Sequence, residues 1–423
     1  MPPLMSNLVR NADRSPTGNR FRRAGLLFTV LLVPAVGRAQ LSESEAVERA
    51  LSRSAVGDAV EGEVDVARAD AMRAAILPNP TVSYTREHTS GGSPASTEDF
   101  AQIAQAFDFS GRRGLRSGAA ERRVEVARLR GASLRVQLEA DVRKRFYDLV
   151  LAQSRVGAAQ DALQRLDPLV GFVGRRASAG DVSGYDRQRI ERERLAVRAR
   201  VDVERAQQSR ARERLAALVG VVPGTDLRVA GDLLPASPPS LDIAAVLRQR
   251  PDLRALGEES AVGDLELGIG RRGWVPDLQL AAGYKGTSAA GERANGFTLG
   301  IAVPLPFFDR LQDESLRGSG RARSARGRLA IEEAAAAGEV RALHAEAVEL
   351  AATARRFRED ATQASRGLLA TAEAAYRGGE LGILELVDAY RGALDTELQA
   401  LDLSFAARRA RIDLDLATAG ASR

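Results

Sequence analysis

The chain carries one plan twice. Pro80 and Pro276 stand 196 residues apart, Ile103 and Ile301 198, Val142 and Val340 198, and Gly180 and Gly379 199. A separation that drifts by only three residues over four landmarks marks an internal duplication, and it excludes folds that cannot be cut into two like halves. Each copy reads as helix, strand, strand, long helix, short turn, helix. Residues 40–220 make the first copy and 241–420 the second, with the Pro- and Gly-rich stretch 221–240 joining them.

Within the first copy, helical spacing starts at Leu41 and runs toward Ile76, where Pro78 and Pro80 end it. Residues 81–88 alternate with period two. A Gly/Ser/Pro-rich loop through Thr97 follows, and then a second strand over about 100–109, where Ile103, Phe107 and Phe109 share a face interrupted by Gln105. The second copy places its strands at about 276–286 and 296–304. Strands of roughly ten residues cross a bilayer when tilted, and a water-soluble hairpin would read the same. From Arg112 to about Asp167 there is no Pro, and Val142, Leu149, Val156, Leu163 and Val170 recur every seven residues. Ala152, Ala159, Leu166 and Val173 complete the seam, which predicts a left-handed coiled coil with small core residues. Some 55 residues at 1.5 Å each make a rod of ~80 Å. Pro168 and Gly171 predict a kink or break, and the return helix runs from about Tyr185 to Val219. The long helices thus occupy about 112–219 and 311–419.

Composition removes most chemistry. Aromatic residues are only 4%, as in Ala- and Arg-rich helices and unlike a compact enzyme core. There is no Cys, which excludes disulfides, thiolate metal sites and a Cys-linked lipid anchor. His88 reads as a loop residue and His344 as a helix-surface residue, too few to build a His-based metal site. No nucleophile with a base, metal cluster or phosphate loop stands out, so the catalytic, cofactor and metal assignments are all none. Arg20, Arg22 and Arg23 precede the apolar run Ala24–Val33, and Gly37-Arg-Ala39 supplies the small residues of a cleavage site. Residues 1–39 therefore read as a secretory signal peptide, with Met1 and Met5 both open as its start. That leader holds six Arg and one Asp, so the remainder carries equal basic and acidic counts, and the formal charge of +5 gives no reason to expect a nucleic-acid partner. No later segment is long enough for a membrane-spanning helix. If this chain crosses a membrane, strands do the crossing. Four strands cannot close a barrel, so several copies must share one.

Both helix-to-helix turns share a design. In Gly180-Asp181-Val-Ser-Gly-Tyr185-Asp186 and in Gly379-Glu380-Leu-Gly-Ile-Leu-Glu385-Leu-Val-Asp388, a Gly stops one helix and the next restarts with acids in its first turns, where the helix dipole favours negative charge.

Taken in order, Ala46-Val-Glu-Arg-Ala-Leu51, Leu77-Pro-Asn-Pro80, Phe109-Ser-Gly-Arg-Arg113, Arg250-Pro-Asp-Leu253, Pro276-Asp-Leu, Pro304-Leu-Pro-Phe-Phe-Asp-Arg310 and Tyr376-Arg-Gly-Gly379 carry a resemblance. The chain resembles the TolC-type outer-membrane factors over residues 41–420, and its Pro-Asn-Pro and Phe-Ser-Gly-Arg-Arg variants are most similar to the cobalt-zinc-cadmium branch. The resemblance implies a mainly α fold with membrane β: four strands from each of three chains in a twelve-stranded barrel, continued by a coiled-coil helical barrel into the periplasm. It implies a homotrimer in outer-membrane lipid, a periplasmic adaptor, and an inner-membrane resistance-nodulation-division pump that supplies the energy. Residue by residue, Glu385 and Asp388 match the acidic aperture, and Tyr376, Tyr185 and Asp186 match the gate latch. Gly180, Asp181, Gly379 and Glu380 match the tips that meet the adaptor. Leu381 stands where the family example has an Arg, so that latch cannot form as a salt bridge, and Arg187 and Arg377 are the candidates to replace it. Metal ions, drugs, solvents and, in type I secretion, proteins all remain open as cargo, with divalent metals favoured by the branch. The rival reading is a soluble periplasmic coiled-coil adaptor or scaffold, against which stands the alternation of two hairpins with two strand pairs.

Overall fold

A computed structural model of the chain describes residues 40–91 and 95–419. The expected signal peptide lies outside the described residues. The elements run α1 (Glu43–Leu51), α2 (Ser54–Ala75), β1 (Thr81–Thr89), β2 (Ser96–Phe107), α3 (Arg112–Ala179), α4 (Gly184–Val219), α5 (Ile243–Gln249), α6 (Pro251–Arg271), β3 (Leu278–Ala289), β4 (Glu292–Ala302), α7 (Gln312–Gly378) and α8 (Ile383–Ala417).

Several boundaries differ from the sequence reading, each for a local reason. The opening helix is two helices, because Ser52 and Arg53 leave the helical path and the Arg53 guanidinium instead caps the carbonyls of Ala217 and Leu218 at 2.9 and 3.0 Å. The second copy breaks at the matching place, where Pro251 takes the first position of α6 and Arg250 is extended. Pro168 breaks nothing: α3 runs unbroken for 68 residues, ~100 Å at the helical rise. Leu166 and Leu169, on either side of that proline, are both packed into a core with α7 and α8, and this burial outweighs one lost backbone bond. β2 begins at Ser96, ahead of the expected 100, since Glu98 pairs with Lys285 and Asp99 takes two bonds from Arg86. Phe109 lies beyond its end. β3 and β4 extend further toward their shared turn than expected, to Ala289 and from Glu292, because Ala290 and Gly291 both take positive φ (54° and 87°) and close a two-residue hairpin turn.

The sheet is antiparallel in the order β1-β2-β3-β4, so the two copies join through the β2–β3 pair and leave β1 and β4 as edges. The register puts Val82, Ile103, Ala282 and Leu299 in one row across the four strands and Tyr84, Ala101, Tyr284 and Phe297 in the next. That face is apolar and open, with Phe297, Leu299 and Ile301 72–84% exposed. The opposite face carries Ser83, Thr85, Gln102, Gly283, Lys285 and Thr298. Trp274, Phe307 and Phe308 stand exposed between the sheet and the helices.

Below the sheet the helices pack as a layer: α2 on α3, α3 on α6, α6 on α7. α6 and α7 cross in close contact because glycines line the crossing. A Cβ at Gly263 would lie 2.5 Å from the backbone N of Ala322, and one at Gly270, two turns on, would collide with the backbone of Ser315. Further down, α3 pairs with α4, α7 with α8, and α3 with α8. The core is a string of small clusters along these helices. The largest joins Phe146, Tyr147 and Leu149 to Leu215, Ile412 and the connecting segment, whose Leu227, Val229 and Leu233 are buried. There Arg143 bonds Glu43 at 2.5 Å and Asp415 at 2.8 Å, tying α1, α3 and α8 together.

Candidate functional site

The far ends of the two hairpins hold Gly180, Asp181, Tyr185, Asp186, Tyr376, Gly379, Glu380, Glu385 and Asp388. Gly180 and Gly379 take φ of +85° and +79°, the left-handed region that side chains avoid, and both helices close with the same bond across the glycine. Asp181 N donates to Arg176 O and Glu380 N to Ala375 O, each at 2.9 Å. Space around both glycines is open. α4 then restarts on a reciprocal cap: Asp186 N donates to Ser183 Oγ at 3.1 Å, and Ser183 N to the Asp186 carboxylate at 3.2 Å. Asp186 is thereby committed to its own helix.

Glu385 and Asp388 lie three residues apart on the exposed side of α8, beside the buried Ile383, Leu386 and Val387 that anchor the helix. The Glu385 carboxylate folds back against Gly382, where a Cβ would meet it at 2.8 Å. The tyrosines part company. Tyr185 is exposed and its hydroxyl accepts from Arg189 at 3.1 Å. Tyr376 is 4% exposed and stacks edge-on against Phe172, with ring centroids 6.5 Å apart. Its hydroxyl has no hydrogen-bond partner among the described residues. Burial pushes the Tyr376 hydroxyl above the usual tyrosine range, Arg176 pulls the other way, and the Asp186 carboxylate adds to the rise. The two arginines considered as substitutes at the latch are held in their own helices: Arg187 stands 3.7 Å from Glu191 and Arg377 3.7 Å from Glu373. Leu381 packs into the tip core.

Two interactions went unread in the sequence. Tyr390 donates to Glu373 at 2.5 Å, and burial, followed by that carboxylate, drives its hydroxyl well above the ordinary tyrosine value. Arg391 donates from Nε to Glu193 at 2.9 Å, linking α8 to α4. A signal existed. Ile190, Glu193, Val197, Val201 and Glu204 follow one helical stripe, and an acid inside an apolar stripe calls for a cation partner. His88 bonds Thr97 and His344 faces Pro239 O, each at 2.9 Å, and no cluster of three or more metal-ligating side chains occurs among the described residues.

Residues 243–420 match the family described as outer membrane efflux protein. The cobalt-zinc-cadmium resistance protein CzcC of Cupriavidus metallidurans is 29% identical over 272 residues, 63% of this chain and 64% of that protein, so the match spans just under two thirds of that relative. The nickel-cobalt-cadmium resistance protein NccC of Alcaligenes xylosoxydans xylosoxydans is 25% identical over 318 residues, 72% of each chain. Among solved structures, the outer-membrane channel OprN aligns with a TM-score of 0.74 at 22% identity, over 89% of this chain and 90% of its own. The open state of the Neisseria gonorrhoeae MtrE outer membrane channel aligns with a TM-score of 0.74 at 20% identity, over 90% and 89%.

Proposed function

We propose that this chain, which takes the fold of TolC-like channels, is an outer membrane efflux protein, three copies of which build a passive exit duct for heavy-metal cations. The observation that carries this reading is the sheet: four strands with one open apolar face and two unpaired edges, set at the end of helices ~100 Å long. Such an edge is costly in lipid, and twelve strands from three chains remove it. The apolar face then meets lipid, the Ser/Thr/Gly/Lys face lines the lumen, and Trp274, Phe307 and Phe308 sit at the periplasmic interface. The helices extend into the periplasm after export by the leader.

In this assembly Glu385 and Asp388 become two carboxylate rings at the constriction, favouring cations over anions. Tyr376 and Asp186, with Tyr185 beside them, hold the tips closed. Gly180, Asp181, Gly379 and Glu380 receive a periplasmic adaptor, which connects the duct to an inner-membrane resistance-nodulation-division pump. The duct performs no covalent chemistry and uses no cofactor. A soluble adaptor or scaffold would have to leave the row Val82, Ile103, Leu299 in water, which argues against that alternative. Deleting the gene and testing growth on metals and drugs checks the cargo: sensitivity confined to cations such as zinc, cobalt, cadmium or nickel is expected, and broad drug sensitivity would refute the metal assignment.

A further inference from the structure

At the end of the sheet away from the helices, charge is sorted by face. Strand residues alternate sides, so the register decides which side chains stand together. On the side that continues the apolar rows, Arg86 lies in one row with Asp99, Gly286 and Asn295, and His88 in the next with Thr97, Ser288 and Arg293. On the opposite side the same stretch carries Glu87, Glu98 and Glu292, with Lys285 as the base among them, its Nζ 2.6 Å from Glu98. Bases gather on the apolar side and acids on the polar one.

The apolar side also has an order along the strands. Tyr84 and Tyr284 share a row, and both hydroxyls lean toward the hairpin turns, Tyr84 donating to Asp99 at 2.6 Å and Tyr284 to Asn295 at 2.7 Å. Rings with polar tips on that heading mark the level where hydrocarbon gives way to headgroups. Arg86 stands one row beyond the tyrosines, about 7 Å along the strand, and His88 and Arg293 stand two rows beyond. All three are exposed. Asp99 is the one acid on this side of the four strands, and it accepts from Arg86 Nε and Nη2 at 2.7 and 3.0 Å. Arg293 has no ion pair among the described residues.

Arg293 and Arg86 sit on opposite edges of the sheet, β4 and β1. Closing the wall sets β4 of one copy beside β1 of the next, which brings Arg293 to the margin where the neighbouring copy's Arg86 and His88 stand. Neither copy holds the cluster alone. Guanidinium groups at headgroup level match the oxygens of a phosphate.

We infer that this basic rim, shared across each subunit boundary, binds the phosphates of the acylated glycolipid in the outer leaflet of the outer membrane. The inference rests on the duct reading above. Anionic headgroups are drawn to the lipid side of the rim, while the acids on the lumen side keep the mouth favourable to cations.

The test uses the full-length assembly purified in detergent. It is titrated with lipid A, with lipid A stripped of its phosphates, and with phosphatidylglycerol, and bound lipid is counted by native mass spectrometry. Lipid A should bind once per subunit boundary and more tightly than either comparison lipid. Arg293→Gln should weaken it about fivefold, the effect of one basic side chain at an anionic surface, and Arg86→Gln with His88→Gln should weaken it at least as much. Lys285→Gln, which removes a base at the same end from the lumen side, should leave lipid binding unchanged. Arg293 has no salt bridge within its subunit to lose, so its variant keeps the test open even where the Arg86 variant fails to assemble. Parent-like binding by Arg293→Gln, or an equal loss from Lys285→Gln, would overturn the rim. Stripped lipid A held as tightly as the phosphorylated form would overturn phosphate recognition, and phosphatidylglycerol held as tightly as lipid A would overturn the glycolipid assignment. A parent chain that stays monomeric and water-soluble would refute the duct itself.

Discussion

The glycine crossing of α6 and α7 makes a prediction whose sign depends on geometry alone. Replacing Gly263 by Ala puts a Cβ 2.5 Å from Ala322 N, 2.8 Å from its Cα and 2.9 Å from its Cβ. Two of those three atoms are backbone, so no rotamer change relieves the contact and the helices must separate. Overpacking of this kind costs about 1–3 kcal/mol. Against it stands the helix preference of Ala over Gly, about 0.8–1.0 kcal/mol. The expected balance is a net loss of about 0–2 kcal/mol, with the upper end favoured by the immovable partners. Gly257→Ala, in the same helix, has nothing within 4 Å of its new methyl and should gain the preference without the clash. Thermal dissociation of the purified assembly in detergent, followed by gel mobility and circular dichroism, should move down for Gly263→Ala and up for Gly257→Ala. Equal shifts, or shifts of the same sign, would show that the helices do not approach at Gly263 and refute the packing argument.

Other expectations are as concrete. Leu299→Arg places a charge on the apolar sheet face at a cost of about 2–4 kcal/mol in mid-bilayer and should abolish stable assembly, while Ser83→Arg on the opposite face should be tolerated; equal yields would reverse the assignment of faces. Charge-neutral Glu385→Gln with Asp388→Asn should erase cation preference in reversal-potential measurements, and an unchanged potential would count against an acidic constriction. Tyr390 is held neutral in the folded chain, with its hydroxyl raised above the ordinary value of 10.0, so its contribution is complete below pH 10 and fades as pH climbs toward the folded value. Tyr390→Phe should therefore melt earlier at neutral pH by the loss of a hydrogen bond to a carboxylate, about 1.5–3 kcal/mol at most, and show a shallower alkaline decline than the parent.

Much of the architecture could be read from spacing. The seven-residue recurrence from Val142 to Val170 and the matched stop glycines Gly180 and Gly379 specify long antiparallel helices, because helix period and left-handed caps are local properties. What escaped was decided at a distance. Continuity through Pro168 depends on leucines buried against α7 and α8, some 200 residues away, and the start of β2 at Ser96 depends on Arg86 and Lys285 across the sheet. Sequence placed the acids and tyrosines beside the two helix-to-helix turns, where the structure has them. It could not show that Tyr376 would be buried or that Arg391 and Glu193 would meet, since both follow from which faces the four helices turn toward one another.

Two unpaired strands at the rim of the sheet also bear on how such a duct comes into being. In the proposed assembly no subunit can begin the wall by itself, so insertion becomes a collective event whose rate depends steeply on how many copies are present together. Until they meet, each must travel with its greasy side uncovered, and dilution or delay at that stage would send chains to aggregation or proteolysis before any reached the bilayer.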